Sequence, residues 1–391
     1  MNSVAMRMLM GDKAKFLGIV FGIGFAAFLI TQQISIFVGL MTRTFGFVTD
    51  TAYPQIWVMD KKVQYIDDLK PMQDTQLYRV RGVEGVAWAM PLYKGLLRAR
   101  LENGSFQTCN VVGIDDSTLI GGPPVMIEGS LEDLRRADSV IVDIVGARGR
   151  LARPAPRDPE TGKPLGPSTP LKVGDYLELN DNRAVVVGLC EVSRTFQSQP
   201  VVYTTYTRAV SFAPSERKLL SFVVAAADPG ENVKDVCGRI TARTGLAAYT
   251  ADEFKRMTVL YFMKYTGIPI NFGISVMLGF LVGTAIAGQT FYNFTLDNIK
   301  QFGALKAMGA GNLRLLRMIL LQAVLVGFIG YGLGVGVASL FAFVPKGELA
   351  FRLLPHTLGV TGAAIVLICI LASLVSIQKV MRLEPAIVFK G

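Results

Sequence analysis

The chain has 391 residues, of which 51% are hydrophobic and 18% charged. Soluble domains carry about 25% charged residues, and a mean hydropathy of +0.41 adds to the case against a cytosolic globular protein. Most of the net charge of +10 belongs to the apolar part of the chain, because outside 43–264 the acidic residues are Asp12, Asp297, Glu348 and Glu384 alone. That distribution implies a membrane protein with a soluble insert, and no nucleic-acid partner is expected.

The N-terminal segment and first span occupy 1–43. Residues 16–42 hold no charged side chain, and neither do 265–296, 318–345 and 353–378. A spanning helix needs about 20 apolar residues, so each of the four can cross with length to spare for tilt. The first is longer than the roughly 7–15 apolar residues of a secretory signal and lacks a clear small-x-small cleavage site, which predicts an uncleaved anchor. Lys and Arg near the span ends set the orientation. Arg7, Lys13 and Lys15 lie at the start of span one; Lys300, Lys306, Arg314 and Arg317 fill 297–317; Lys379, Arg382 and Lys390 lie in the tail, 379–391. The loop 346–352 has only Lys346 and Arg352, set against Glu348. Both termini and 297–317 are therefore expected in the cytoplasm, with 44–264 and 346–352 outside.

The insert, 44–264, reads as a large α+β domain between helices one and two. Residues 55–59 form a strand candidate, and 86–114 carry strands around an Asn103-Gly104 turn. Residues 184–189 and 199–203 are further Val-rich strands. Residues 221–225, 232–244 and 247–250 read as strand, helix, strand, and 251–264 as a helical continuation of span two. Residues 146–170 are crowded with proline, glycine and arginine and cannot bury enough apolar area to order themselves. A mobile arm is expected there, either a floppy insertion or a docking element. Cys109, Cys190 and Cys237 fall in the insert and Cys369 in span four. They read as small buried hydrophobes or, alternatively, include a Cys109–Cys190 bridge; no CxxC spacing supports a metal site.

Nothing in the chain reads as catalytic. His356 follows Pro355 near the start of span four without partners for metal or triad chemistry. The nearest approach to a phosphate-binding loop, Gly162-Lys163, is followed by Pro164 where a magnesium ligand is needed. The span cores hold no ionisable side chains, so ion coupling has little support. Their polar residues (Thr31, Gln32, Gln33 and Ser35; Gln289, Thr290 and Asn293; Gln322) can hydrogen-bond between helices or line a path for an amphiphilic substrate.

Residues 297–318 carry the strongest signal. Ile299, Phe302, Leu305 and Met308 recur every three residues, along one helical face, with Lys300, Gln301 and Lys306 off that stripe. Gly309 and Gly311 are expected to end the helix, and Asn312 to cap the next. The result is a short amphipathic helix on the cytoplasmic side, either a surface connector or a docking element.

The run Ile299-Lys300-Gln301-Phe302-Gly303-Ala304-Leu305-Lys306-Ala307-Met308-Gly309-Ala310, followed by Met318-Ile319-Leu320-Leu321-Gln322-Ala323, resembles the signature of the FtsX/MacB-type (type VII) ABC transporter permeases. The ending Glu384-Pro385-Ala386-Ile387-Val388-Phe389 and the layout of one span, large domain and three spans are similar to that family too, closest in flavour to its DevC-type members without a fused ATPase. Asn298-Ile299-Lys300-Gln301 stands where many members have an acidic run. The resemblance implies that Ile299, Phe302, Gly303, Leu305, Lys306, Met308 and Gly309 couple to a separate ATPase dimer, which binds the ATP and magnesium, leaving this chain without cofactor, metal or catalytic residue. It also implies a second permease copy. Small residues four apart permit close helix approach; Gly18, Gly22, Ala26, Gly279, Gly283 and Ala287 are assigned to that dimer interface, and Gly330, Gly334 and Ala338 to packing within one protomer. A ferredoxin-like part over 221–250 and an inserted part near 115–205 are expected. The expected role is efflux across the inner membrane of a diderm bacterium, with a membrane-fusion protein and an outer-membrane channel. Lipid or lipoprotein extraction, with Phe45, Phe47, Tyr261, Phe262 and Met263 as an apolar gate, and regulation of an external partner are the alternatives.

Overall fold

The computed structural model describes residues 2–155, 166–214, 219–343 and 349–381. The tail motif 384–389, Lys346, Glu348, Arg382, Lys390 and the Gly162–Pro164 stretch lie outside them. The chain divides into two compact units, 1–40 with 267–391, and 41–266.

The first unit begins with α1 (Asn2–Gly11) and α2 (Lys13–Thr44). The inserted unit brings the short α3 (Gly46–Asp50), α4 (Thr75–Arg81), α5 (Ile144–Arg148), α6 (Tyr206–Phe212), α7 (Val233–Thr244) and α8 (Ala251–Tyr265). The chain then returns through α9 (Ile268–Asp297), α10 (Ile299–Ala307), α11 (Asn312–Ser339) and α12 (Pro355–Met381). Helices α2, α9, α11 and α12 are each long and apolar enough to cross a membrane. Pro269 stands in the first turn of α9 and Pro355 opens α12, where the missing N–H has no helical partner to lose. Residues 251–264 do not continue α9 as one helix. Thr266 is extended (φ −119°, ψ 154°) after α8, because Pro269 has no N–H to give the Tyr265 carbonyl.

The small residues of the spans do pack closely, but within the protomer. A Cβ on Gly22 would run into Ile286, and one on Gly283 into Ala26; Ala26 and Ala287 are fully buried. Gly279 faces Leu29 and Ile30, and Gly18 faces Thr290. This corrects the assignment of these faces to a dimer interface: α2 and α9 of one chain already fill each other's small-residue grooves. Gly330 and Gly334 sit against Ile23, Gly24 and Ala27 of α2, so three helices share one tight seam. The polar span residues serve this packing in part: Thr31 Oγ1 donates to Thr361 Oγ1 at 3.2 Å, and Gln322 Nε2 to the Ala5 carbonyl at 2.7 Å.

The second unit is built on one ten-stranded sheet: β1 (Ile56–Met59), β2 (Val86–Arg100), β3 (Phe106–Ile114), β4 (Val125–Glu128), β5 (Ser139–Asp143), β6 (Tyr176–Leu179), β7 (Asn182–Glu191), β8 (Val201–Thr205), β9 (Phe222–Ala227) and β10 (Ala247–Thr250). The order is β10-β1-β9-β2-β3-β8-β5-β7-β4, with β6 pairing β2 and β7. The long β2 serves both halves, Val86–Leu92 against β9 and Tyr93–Arg100 against β3. The hairpin turns at Gly104 (φ +79°), where only glycine avoids a steric cost. The strand–helix–strand run over β9, α7 and β10 lies where the sequence puts it. The part near 115–205 extends the same sheet through the parallel β3–β8 pairing.

Side chains alternate across the sheet. Trp57 packs with Phe222 and Phe254 on one face, while Ile56 and Val58 pack with Val236 and Ile240 of α7 on the other. Cys109 and Cys190 belong to different cores and all four cysteines are free. With β8 and β5 between β3 and β7, three spacings of about 4.8 Å exceed what a disulfide spans. Burial pushes the Cys109 thiol up to about 12. The expected arm is ordered at its base: 146–148 are helical, Arg153 and Thr169 bridge at 2.8 and 2.9 Å, and Arg153 pairs with Glu102 and Asp175 at 3.1 Å each.

Candidate coupling site

Helix α10 starts one residue after α9 ends. Asn298 occupies the junction and returns its side-chain N–H to the Phe294 carbonyl at 2.8 Å. The far end closes by a Schellman motif: Gly309 N donates to Lys306 O at 3.1 Å and Ala310 N to Leu305 O at 3.0 Å, with Gly309 at φ +88°. That pattern satisfies two carbonyls the helix would otherwise leave open and needs a residue tolerant of positive φ. The glycine elbow is where the sequence puts it. The cap of α11 is not: Gly311 takes the N-cap position, and Asn312 is already the first helical residue.

The apolar stripe divides. Phe302 is 0% exposed and packs with Ala5 of α1, Leu315 and Met318 of α11, and Ile377 and Val380 of α12. Gly303 is buried beside it, and Ile299 and Leu305 are half-buried against the same cluster. Lys306 donates to the Met381 carbonyl at 3.0 Å. Met308 leaves the stripe and is 76% exposed, since it sits at the helix cap where the backbone turns (φ −75°, ψ 8°). The stripe is therefore mostly the seat of α10 rather than its free surface. The exposed surface runs through Gln301, Ala307, Met308 and Gly309 to Asn312, Leu313 and Arg314.

Two supports of this site went unread in the sequence. Helix α1 forms part of the seat through Ala5, and Gln322 of α11 bonds its backbone. Lys15 bridges Asp12 (2.9 Å) and Asp297, pinning the start of α2 to the end of α9 just before α10. The bond from Lys15 holds the Asp12 carboxyl below the usual carboxylate range. The signal for this bridge was the rarity of acids at the span ends, where Asp12 and Asp297 stand nearly alone. His356 is exposed at the start of α12.

Residues 261–385 match the family model described as FtsX-like permease C-terminal. Among solved structures, the chain is similar to the extracellular domain of the noncanonic ABC-type transporter YknZ from Gram-positive bacteria, at 12% identity over 50% of this chain and 98% of that one, with a TM-score of 0.32. It is also similar to the periplasmic region of MacB from Actinobacillus actinomycetemcomitans, at 13% identity over 55% and 94%, with a TM-score of 0.36. The chain is thus an integral membrane protein that carries an FtsX-like permease domain over 261–385.

Proposed function

We propose that the chain is the membrane subunit of an ATP-driven transporter, in which α10 and its glycine elbow receive the stroke of a separate cytoplasmic ATPase dimer that binds the ATP and magnesium. The observation that carries this reading is the division of α10 and its elbow into a seated face, anchored by Phe302, and an exposed surface that carries Met308 and Leu313. A helix so seated moves with α1, α11 and α12 as one body. Large exposed apolar side chains next to Arg314 form a surface that a protein partner covers with profit. Replacing Met308→Asp together with Leu313→Asp should reduce co-purifying ATPase at least tenfold while leaving the chain's own melting point unchanged, because both side chains are exposed. Undiminished co-purification would reject this face.

In this reading both termini are cytoplasmic, and the sheet unit lies outside the inner membrane of a diderm cell. There it acts on cargo for export with a membrane-fusion protein and an outer-membrane channel. Helix α2, 32 residues long, measures about 48 Å at 1.5 Å per residue; it exceeds an apolar layer of about 30 Å and serves as the lever. A second permease copy completes the assembly, and we place it on the outer face of α9. Only 17% of that span's apolar window is buried, against 44–47% in the other three. Ile274, Leu278, Leu281, Ala285, Gln289 and Asn293 recur at helical spacing along that exposed face, and polar side chains in a span gain most from a protein neighbour. Lipid extraction finds less support: Phe47 and Phe262 are buried and Tyr261 stacks on Tyr65 at 4.3 Å, which leaves Met263, 43% exposed, as the open residue of the expected gate.

A further inference from the structure

The sheet unit holds a cleft of about 560 Å³, within the range of small-molecule sites. It lies over the middle of β2 and β3, walled by the loops that carry Tyr65 to Pro71 and Thr195 to Gln199. Two features of its wall are unusual for a surface hollow. Lys94 is 4% exposed, and among the described residues no other lysine or arginine is buried. Its ammonium pairs with Asp67 and lies 5.6 Å from the Phe47 ring. An ammonium has three donors, and Asp67 takes one. Asn110 is 2% exposed, and its Oδ1 has no hydrogen-bond partner.

Both residues stand on the same face. Asn110 is directly across from Leu96 in the β2–β3 register, and Lys94 is two residues along from Leu96, a diagonal of about 7–8 Å. Burying a lysine and an unpaired amide costs free energy unless something else pairs with them. The charges lining the cleft select the partner. A simple anion drawn to Lys94 would meet Asp67 and Asp68, and a simple cation drawn to those carboxylates would meet Lys94. A molecule bearing both charges satisfies all three.

We propose that this cleft binds a small zwitterion, an amino acid or short peptide, with its carboxylate on Lys94, its ammonium toward Asp67 and an amide group on Asn110. The inference does not rest on the ATPase reading, and its test needs no ATPase. The probe is trialanine at millimolar concentration, added to the full chain in detergent, with N-acetyl-trialanine and trialanine amide as forms lacking one charge. Trialanine should raise the melting point by several degrees, each blocked form by less than half as much. Lys94→Met and Asn110→Leu should abolish the shift. Leu96→Trp, at a rim position 43% exposed, fills the cleft without replacing a buried polar residue and should abolish it as well. No shift with trialanine, equal shifts from the blocked forms, or a shift that survives Leu96→Trp would overturn the proposal.

Discussion

Asp115, just past the end of β3, accepts four hydrogen bonds at one oxygen: Ser117 N at 3.2 Å and Oγ at 2.6 Å, Thr118 N and Oγ1 at 2.8 Å each. Burial raises its pKa, but the Ser117 and Thr118 bonds outweigh that effect and leave it below the usual carboxylate range. An unfolded aspartate titrates near 3.9. Since the folded value is lower, the stabilisation is fully present above about pH 4 and is lost as pH falls through the folded value. Asp115→Asn should therefore lower the melting point at pH 7 and have a shrinking effect below about pH 4. An equal penalty at pH 7 and pH 3 would contradict this account of the turn. At this scale the sequence is informative about residue type and poor about surroundings. The spacing of Ile299, Phe302, Leu305 and Met308 identified a face, but not whether that face was seat or surface. That depends on α1 and α12, which are distant in sequence. In the same way Cys109 and Cys190 announced burial, while their separation depended on which strands came between them.

The helices show why small residues are read more easily than their partners. A Cβ on Gly334 would overlap Gly24 O and Ala27, whereas Gly336, two residues on, has nothing within 4 Å. Gly334→Leu should cost well over the roughly 1–3 kcal/mol typical of overpacking, because backbone stands in the way; the yield of folded protein should fall sharply. Gly336→Leu in the same helix should be tolerated. Comparable yields of the two variants, measured by size-exclusion profiles in detergent, would refute the close α2–α11 approach. Repeated small residues announce that backbones meet, yet the pattern is the same whether the neighbour is another helix of the chain or a second copy. The strands were legible where Val-rich runs met strong turns, as at Asn103-Gly104. The short β4 (Val125–Glu128), β5 (Ser139–Asp143) and β6 (Tyr176–Leu179) were missed, because four or five residues carry little periodicity. The break between α8 and α9 did have a signal, in Pro269.

For the whole molecule, the division into apolar helices and a charged insert was written in the placement of its acids and its four uncharged stretches. The assembly was not, since nothing in one chain's periodicity distinguishes lipid from a partner. Two copies meeting along α9 should yield a disulfide-linked dimer from Ala285→Cys in a chain whose four cysteines are replaced by alanine. The same test at Gly283, buried against Ala26, should yield none. Dimer at neither position would remove α9 from the interface.

The most direct test of the coupling account places the photo-crosslinking residue p-benzoylphenylalanine at Met308, Leu313 or Met318 of the full chain in native membranes. Met318 is 1% exposed and serves as the buried control. Irradiation should join the first two positions to a cytoplasmic ATPase subunit and leave the third free of that adduct. If neither Met308 nor Leu313 captures an ATPase, the α10 turn is not the site at which the stroke is received.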